Sequence, residues 1–268
     1  GVLEFSFPVQ FINPNFKSNK IVVREDYEKL WKKIKTETEI GKNSMFLVKG
    51  TPGIGKSTFL IYVFTQLAKE EEMVKNGIIY STITNGKDDY YVFQNDKVRK
   101  SSIQDLIYPY SDNPDCWWLM DQQSAGGDHF CKTILAASLR SSNFNEFSKE
   151  AEDYYLGAWE DEKKDEYGIP KELRKLIDVS YPEFNNKESL TKIAEITEKY
   201  GAIPRYWIKG FVKKDYLETI ETDINNLKAV DLLSALGDTS FNDKFTNKVL
   251  QPVINNQTYS LIEFDVAT

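Results

Sequence analysis

Eight consecutive residues, Gly50-Thr51-Pro52-Gly53-Ile54-Gly55-Lys56-Ser57, set glycines, a lysine and a hydroxyl at a spacing that can hold phosphate. They fit the pattern G-x-x-x-x-G-K-[ST] without a mismatch. Glycines let a backbone wrap closely, so that its N–H groups point at phosphate oxygens. A helix starting at the lysine adds N-terminal donors and the positive end of its dipole. Lys56 is then expected to bridge the β- and γ-phosphates of ATP, and Ser57 to offer its hydroxyl to Mg²⁺. Mg²⁺ keeps several waters, so one hydroxyl and one nearby carboxylate suffice. Thr51-Pro52 stiffens the loop. The nucleotide-contacting set is Gly50, Thr51, Pro52, Gly53, Ile54, Gly55, Lys56, Ser57 and Thr58.

The carboxylate should end a buried strand further along. Cys116–Met120 is wholly apolar and is followed by Asp121, which becomes the second metal residue, acting through water. Asp115 and Asp128 end no apolar run and are weaker candidates. A hydrolase of this kind usually has a Glu beside the metal Asp to activate water. Here Gln122 and Gln123 stand in that place. A Gln can position water but is a poor base. Glu160 and Glu162 are alternative bases, and His129 reads as a loop residue. Two arginines could reach a phosphate. Arg140 follows the apolar run Lys132–Ser138, and Arg205 follows Gly201-Ala202-Ile203-Pro204. A Gly and then a Pro at a helix start make a rigid entry that fixes the direction of Arg205. For each, the plainer alternative is a solvated arginine.

These groups need elements to hold them. Residues 1–24 read as an extended lead-in, and Tyr27, Leu30, Trp31 and Ile34 give a helix over 25–38. Met45–Lys49 reads as a buried strand and 56–71 as a helix with Phe59, Leu60, Val63, Phe64 and Leu67 inward. Strands are expected at Gly77–Thr82 and Tyr90–Phe93, with the turn at Asp88-Asp89, and a short helix at 101–108. Further strands follow at Cys116–Met120, Lys132–Ser138 and Asp153–Leu156. Helix patterns then dominate, at about 159–166, 170–178, 186–200, 203–213 and 215–235. The alternation predicts an α/β fold, a mostly parallel sheet covered on both faces. Its expected parts are a lead-in strand and helix at 1–39, a P-loop core at 40–158 and a C-terminal helical region at 159–268.

Composition narrows the function classes. Lys and Arg number 34 against 41 Asp and Glu, a net charge of −7 with histidine neutral. Clamping nucleic acid needs clustered basic residues, so direct binding to it is not expected of this segment. Cys116 and Cys131 have no metal-ligand spacing and read as reduced thiols. No apolar run approaches the ~20 residues of a membrane span. No signal-peptide pattern is present. The chain opens on Gly1 instead of Met, as a fragment would.

Taken together, Gly50–Ser57, Trp117–Asp121, Ala136–Arg140 and Gly201–Arg205 resemble the AAA+/STAND type of P-loop NTPase. The closer resemblance is to the NTPase module of the Crinkler and retrotransposon hot spot (RHS) family. It is carried by Val48–Leu60, by Ser138–Lys149 with Asp153–Trp159, and by Gly201–Tyr206, over about residues 40–215. The resemblance implies a RecA-like core, the P-loop strand beside the strand that ends at Ser138, and a helical lid presenting Arg205. It implies a protein partner or a fused effector domain, often nuclease-like, and a nuclear or cytoplasmic setting, a secreted-effector origin included. Homo-oligomers that share an arginine are also implied, with Arg174 a loose candidate. The chain departs from the family in having no recognisable header domain before residue 25 and little chain after the helical region.

Three functions follow from different classes. The first is a slow Mg-dependent ATPase acting as a conformational switch, with Lys56, Asp121, Gln122 and Arg205 in the catalytic roles. The second is a nucleotide-binding interaction module with negligible hydrolysis, which the missing Glu after Asp121 favours. The third is a small-molecule kinase, against which stands the absence of a lid segment rich in arginine before residue 200. No guanine-reading Asn-Lys-x-Asp is present, so ATP is the default nucleotide.

Overall fold

The computed structural model describes residues 1–5, 19–84, 86–102, 108–121, 130–138, 145–159, 163–213, 215–225, 250–254 and 257–266. The lead-in forms strands β1 (Val2–Glu4) and β2 (Lys20–Val22), which pair antiparallel, and then helix α1 (Glu25–Glu39). Next come β3 (Met45–Lys49), α2 (Lys56–Leu67), α3 (Glu71–Asn76), β4 (Ile78–Thr84), β5 (Lys87–Gln94), β6 (Lys97–Ser101) and α4 (Tyr108–Ser111). The core closes with β7 (Trp117–Asp121), β8 (Lys132–Ala137), α5 (Asn145–Glu150) and β9 (Glu152–Tyr155). Helices α6 (Lys171–Ser180), α7 (Lys187–Tyr200), α8 (Pro204–Val212) and α9 (Tyr216–Asn225) follow. Strands β10 (Leu250–Ile254) and β11 (Leu261–Val266) pair as a separate antiparallel ribbon.

Seven strands make one sheet, in the order β6-β5-β4-β7-β8-β3-β9. The run from β4 to β9 is parallel, and β5 and β6 are antiparallel additions at one edge. Side chains alternate across a strand, and here both sets are buried. Phe46, Val48, Trp117, Leu119, Ile134 and Ala136 join α1 and α2 in one core. Leu47, Trp118, Met120, Leu135 and Ala137 pack on the other face with Phe147 of α5. A parallel sheet covered on both faces needs continuous apolar strands, which is why Cys116–Met120 and Lys132–Ser138 read so clearly. The expected neighbour relation holds: β3 lies beside β8, Met45 opposite Thr133 through Lys49 opposite Ala137.

Several expectations fail for local reasons. Asp88 and Asp89 lie inside β5, opposite Ile83 and Thr82. The reversal falls between Thr84 and Lys87, where Gly86 has φ +74°. Asn85-Gly86 is the stronger hairpin signal, because two-residue turns need positive φ. The unexpected β6 follows a tight turn in which Asn95 and Asp96 both take positive φ, 50° and 58°. The helix over 56–71 stops at Leu67, and α3 restarts at Glu71. The short helix expected over 101–108 starts only at Tyr108, and residues 103–107 lie outside the described residues. The helix expected at 159–166 does not form over its described part. Asp165 Oδ1 accepts from the backbone N–H of Tyr167 (2.9 Å) and of Ile169 (2.8 Å), which closes a turn instead. Short Asp side chains compete with the backbone in this way. The C-terminal stretch is not helical throughout, since β10 and β11 occupy its end, and the intervening Tyr259 docks by its carbonyl on the backbone N–H of Tyr155 (2.9 Å). No helix among the described residues is long and apolar enough to cross a membrane.

The sheet gives a first prediction. Ile134 lies on the central strand β8, fully buried between β7 and β3. Ile134→Ala should cost about 2–5 kcal/mol of stability, read as a lower urea midpoint with an unchanged slope.

Candidate functional site

In an open parallel sheet, ligands sit at the carboxyl ends of the strands. The expected chemistry gathers there. Lys49 at the end of β3 leads into the glycine loop, and Asp121 at the end of β7 pairs with Ala136 and Thr82. Gly53 and Gly55 take φ of +92° and +111°, conformations that glycine adopts without strain. The loop is also closely packed. A Cβ on Gly50 would lie 2.8 Å from the carbonyl oxygen of Leu156, and one on Gly55 2.1 Å from the Tyr27 hydroxyl. Helix α2 begins at Lys56 with Gly55 as its cap and no side chain bonding its first turn. Its first N–H groups have no intrahelical acceptor, which makes the turn a seat for an anion.

Lys56 is buried and folds back on its own loop, donating to the carbonyls of Gly50 (2.7 Å) and Thr51 (3.1 Å). Burial lowers its ammonium from 10.5 to about 7; Arg205 adds to this and Asp121 opposes it. Ser57 Oγ donates to Asp121 Oδ1 at 2.9 Å. Asp121 is 2 % exposed, and burial raises its carboxyl above the usual 3.8, against the pull of Ser57 and Lys56. A hydroxyl and a carboxylate in contact at the phosphate loop form a hard oxygen pair of the kind Mg²⁺ takes with retained waters. The donor set therefore fits the ion. Among the described residues no group of three or more His, Cys, Asp or Glu could hold a metal by itself.

Arg205 reaches the loop from the helical region. It stands on the first turn of α8, after Pro204 at the helix start. A Cβ on Gly53 would lie 2.3 Å from Arg205 Cβ and 2.8 Å from its Nε, so this arginine lies directly on the loop. Arg174 does not stand free. Its guanidinium bonds Asp165 (3.0 Å), Asp178 (3.1 Å) and Asn185 (2.6 Å) of its own chain. Gln122, Gln123, Asp128, His129, Arg140, Glu160 and Glu162 lie outside the described residues.

Three residues behind the loop were not singled out for the site in the sequence. Arg24, 1 % exposed, donates to the carbonyls of Ile54 (3.4 Å), Gly157 (3.2 Å) and Ala158 (2.9 Å) and pairs with Asp26 at 2.7 Å. Its guanidinium lies 4.8 Å from the Trp159 ring. Trp159 Nε1 also donates to Ile54 O (2.8 Å), and the Tyr27 hydroxyl donates to Gly55 O (2.8 Å). The backbone N–H of Trp159 donates to Ala202 O (2.9 Å), just before α8. Trp159 thus ties the loop, through its indole, to the entry of the helix that carries Arg205, through its backbone N–H. The sequence signal for Arg24 is a charge that follows the apolar Ile21-Val22-Val23 directly.

Two predictions follow. Arg24→Met should leave buried carbonyls without donors and cost about 3 kcal/mol or more, read by chemical denaturation. For Lys56 the sign is worked out from protons bound. Its folded value near 7 lies below the unfolded 10.5, so the unfolded state holds more protons between them and stability rises with pH across that window. The ligand-free protein should therefore gain more stability from pH 7 to pH 10 than Lys56→Met does. Equal slopes would refute the buried, destabilised ammonium.

No family model matches the chain. It is similar to Crinkler effector protein 15 of Phytophthora infestans, 26% identical over 275 residues, covering 96% of this chain and 37% of the relative. It is similar to Crinkler effector protein 16 of the same organism, 28% identical over 178 residues, 60% of this chain and 26% of the relative. The chain thus spans roughly a quarter to a third of the curated relatives it matches. A solved structure, the Thermotoga maritima RuvB Holliday junction branch migration motor, aligns over 88% of this chain and 72% of its own, at 13% identity and a TM-score of 0.38.

Proposed function

We propose that this chain binds ATP with Mg²⁺ at Gly50–Thr58 and hydrolyses it slowly, as an AAA+/STAND-type switch for an effector or partner domain. The observation that carries the reading is the convergence of Lys56, Ser57, Asp121 and Arg205 on one glycine loop at the carboxyl edge of a parallel sheet. These residues come from α2, β7 and α8, and no packing requirement of the core explains their meeting. The similarity to much longer Crinkler effector proteins supports a module whose partner domain lies elsewhere in the polypeptide.

Each residue has a role that its present contacts make available. The loop N–H groups and the first turn of α2 bind the phosphates. Lys56 exchanges two carbonyl acceptors for phosphate oxygens and regains full charge there. Ser57 and Asp121 hold the metal, which when bound supplies charge neutralisation at the phosphates. Arg205 adds charge from α8, so the helical region is drawn onto the loop while the phosphate is present and released after its loss. Gln122 is assigned the water-orienting role from its place in the sequence after Asp121 alone. A module that binds nucleotide with negligible hydrolysis is the second reading, favoured by Gln122-Gln123 standing where a general base is expected.

The test is Mg-dependent ATP hydrolysis by the purified chain, with binding followed in parallel and Lys56→Ala as the control. Turnover is expected to fall by about 100-fold or more in the variant. Tight binding without turnover would select the second reading. A folded protein with neither binding nor turnover would overturn both.

A further inference from the structure

Beside the Ser57–Asp121 pair lies a hydroxyl that the roles above do not use. Tyr80 is on β4, where it pairs with Leu119 of β7, while Thr82 pairs with Asp121. Registered partners in parallel strands share a face, and residues two apart along a strand return to it. Tyr80 and Asp121 therefore point to the same face of the sheet, the one covered by α1 and α2. Tyr80 is 1 % exposed, and its hydroxyl makes no hydrogen bond of normal geometry, although Asp121 lies near it. A buried hydroxyl without a partner costs about 1–3 kcal/mol, so such a group asks for an explanation. The ring would fill the core equally well as phenylalanine.

The hydroxyl nonetheless lies near enough to Asp121 to influence it. Burial holds the Tyr80 proton tightly and the Asp121 carboxylate holds it further, while the hydroxyl in turn draws the carboxyl of Asp121 down. Asp121 already accepts from Ser57 Oγ on Oδ1, and a carboxylate has about four acceptor sites. A donor waiting beside a buried carboxylate is worth most when that carboxylate carries full charge, because bonds to ionised acceptors are about twice as strong as neutral ones.

We propose that Tyr80 is a positioning residue for the metal site: its hydroxyl donates to Asp121 when the site is loaded and fixes the direction of that carboxylate. This rests on the reading of Gly50–Thr58, Ser57 and Asp121 as a Mg-nucleotide site. In the ligand-free protein the hydroxyl lies near Asp121 without closing a hydrogen bond of normal geometry, and on loading it closes that bond. Its contribution is thus spent on the loaded state and not on the fold.

Tyr80→Phe separates this from a packing role, since it keeps the ring and removes only the oxygen. The measurement is ATP affinity of the whole chain by calorimetry, in excess EDTA and in saturating Mg²⁺, for wild type and variant. Thermal denaturation in EDTA is run alongside. The ratio of the two affinities isolates the metal-dependent part of binding. Expected is a ratio reduced by about tenfold in the variant, as for loss of a bond to a charged group, with EDTA affinity unchanged and ligand-free stability equal or higher. An unchanged ratio would overturn the proposal while leaving the nucleotide site intact. A parallel fall in both affinities would also overturn it, by showing that Tyr80 only shapes the pocket. If wild type shows no Mg-dependent affinity at all, the functional reading itself fails and Tyr80 has no site to serve.

Discussion

The carbonyl of Ile54 is the point on which the site depends. It accepts from Trp159 Nε1 at 2.8 Å and from Arg24 at 3.4 Å, two donors far apart in sequence that meet in space. A glycine loop is conformationally permissive, and that freedom must be removed before its N–H groups can serve as a fixed phosphate seat. Here it is removed by Arg24, Trp159 and Tyr27, which hold the carbonyls of Ile54 and Gly55.

The same network links three parts of the chain. Arg24 stands between the lead-in strands and α1, and also bonds the carbonyls of Gly157 and Ala158 after β9. Its Nε lies 3.7 Å from Glu172 on α6. Trp159 joins the loop to the entry of α8 through Ala202. Arg205 on α8 and Trp159, which is bonded to the entry of α8, thus both touch the loop, through residues on separate segments. The two terminal nitrogens of the buried guanidinium donate to backbone carbonyls and one partly exposed carboxylate, while its Nε makes no hydrogen bond, and removing either side would leave the other unpaired.

What could be read in advance follows from where each residue's role is fixed. Phosphate chemistry dictates residue types at Gly50–Ser57, so the loop is legible in one dimension. Asp121 is legible because a parallel strand buried on both faces is apolar until it ends. Arg205 is legible because Gly201 and Pro204 fix a helix entry. Arg24 and Tyr80 have no such local signature. Their partners lie 30 and 133 residues away for Arg24, and on a strand paired through the sheet for Tyr80, so only tertiary closure reveals them. Strand β6 was missed because Lys97–Ser101 is an edge strand with little apolar alternation, and edges are commonly charged. The helix expected at 159–166 was charge-rich enough to look amphipathic, but Asp165 satisfied the local backbone in a turn.

The site holds two groups that burial drives toward neutrality, which bears on how the proposed ligands would bind. Lys56 has lost much of its hold on a proton, and Asp121 has gained some. Each is an electrostatic cost carried by the fold, since one pKa unit corresponds to about 1.4 kcal/mol between protonation states. A polyanion removes the cost at Lys56, and a divalent cation removes it at Asp121. Neither ligand alone relieves both, and an anion without its metal would add repulsion at Asp121 as the carboxylate ionises. On the proposed reading, loading by metal and phosphate together would be favoured over loading by either one, a cooperativity that would come from the desolvation of two side chains. The clamp on the loop carbonyls makes this effective. If Arg24 and Trp159 let the loop relax, Lys56 could find solvent and the cost would vanish, and with it the preference for the paired ligand.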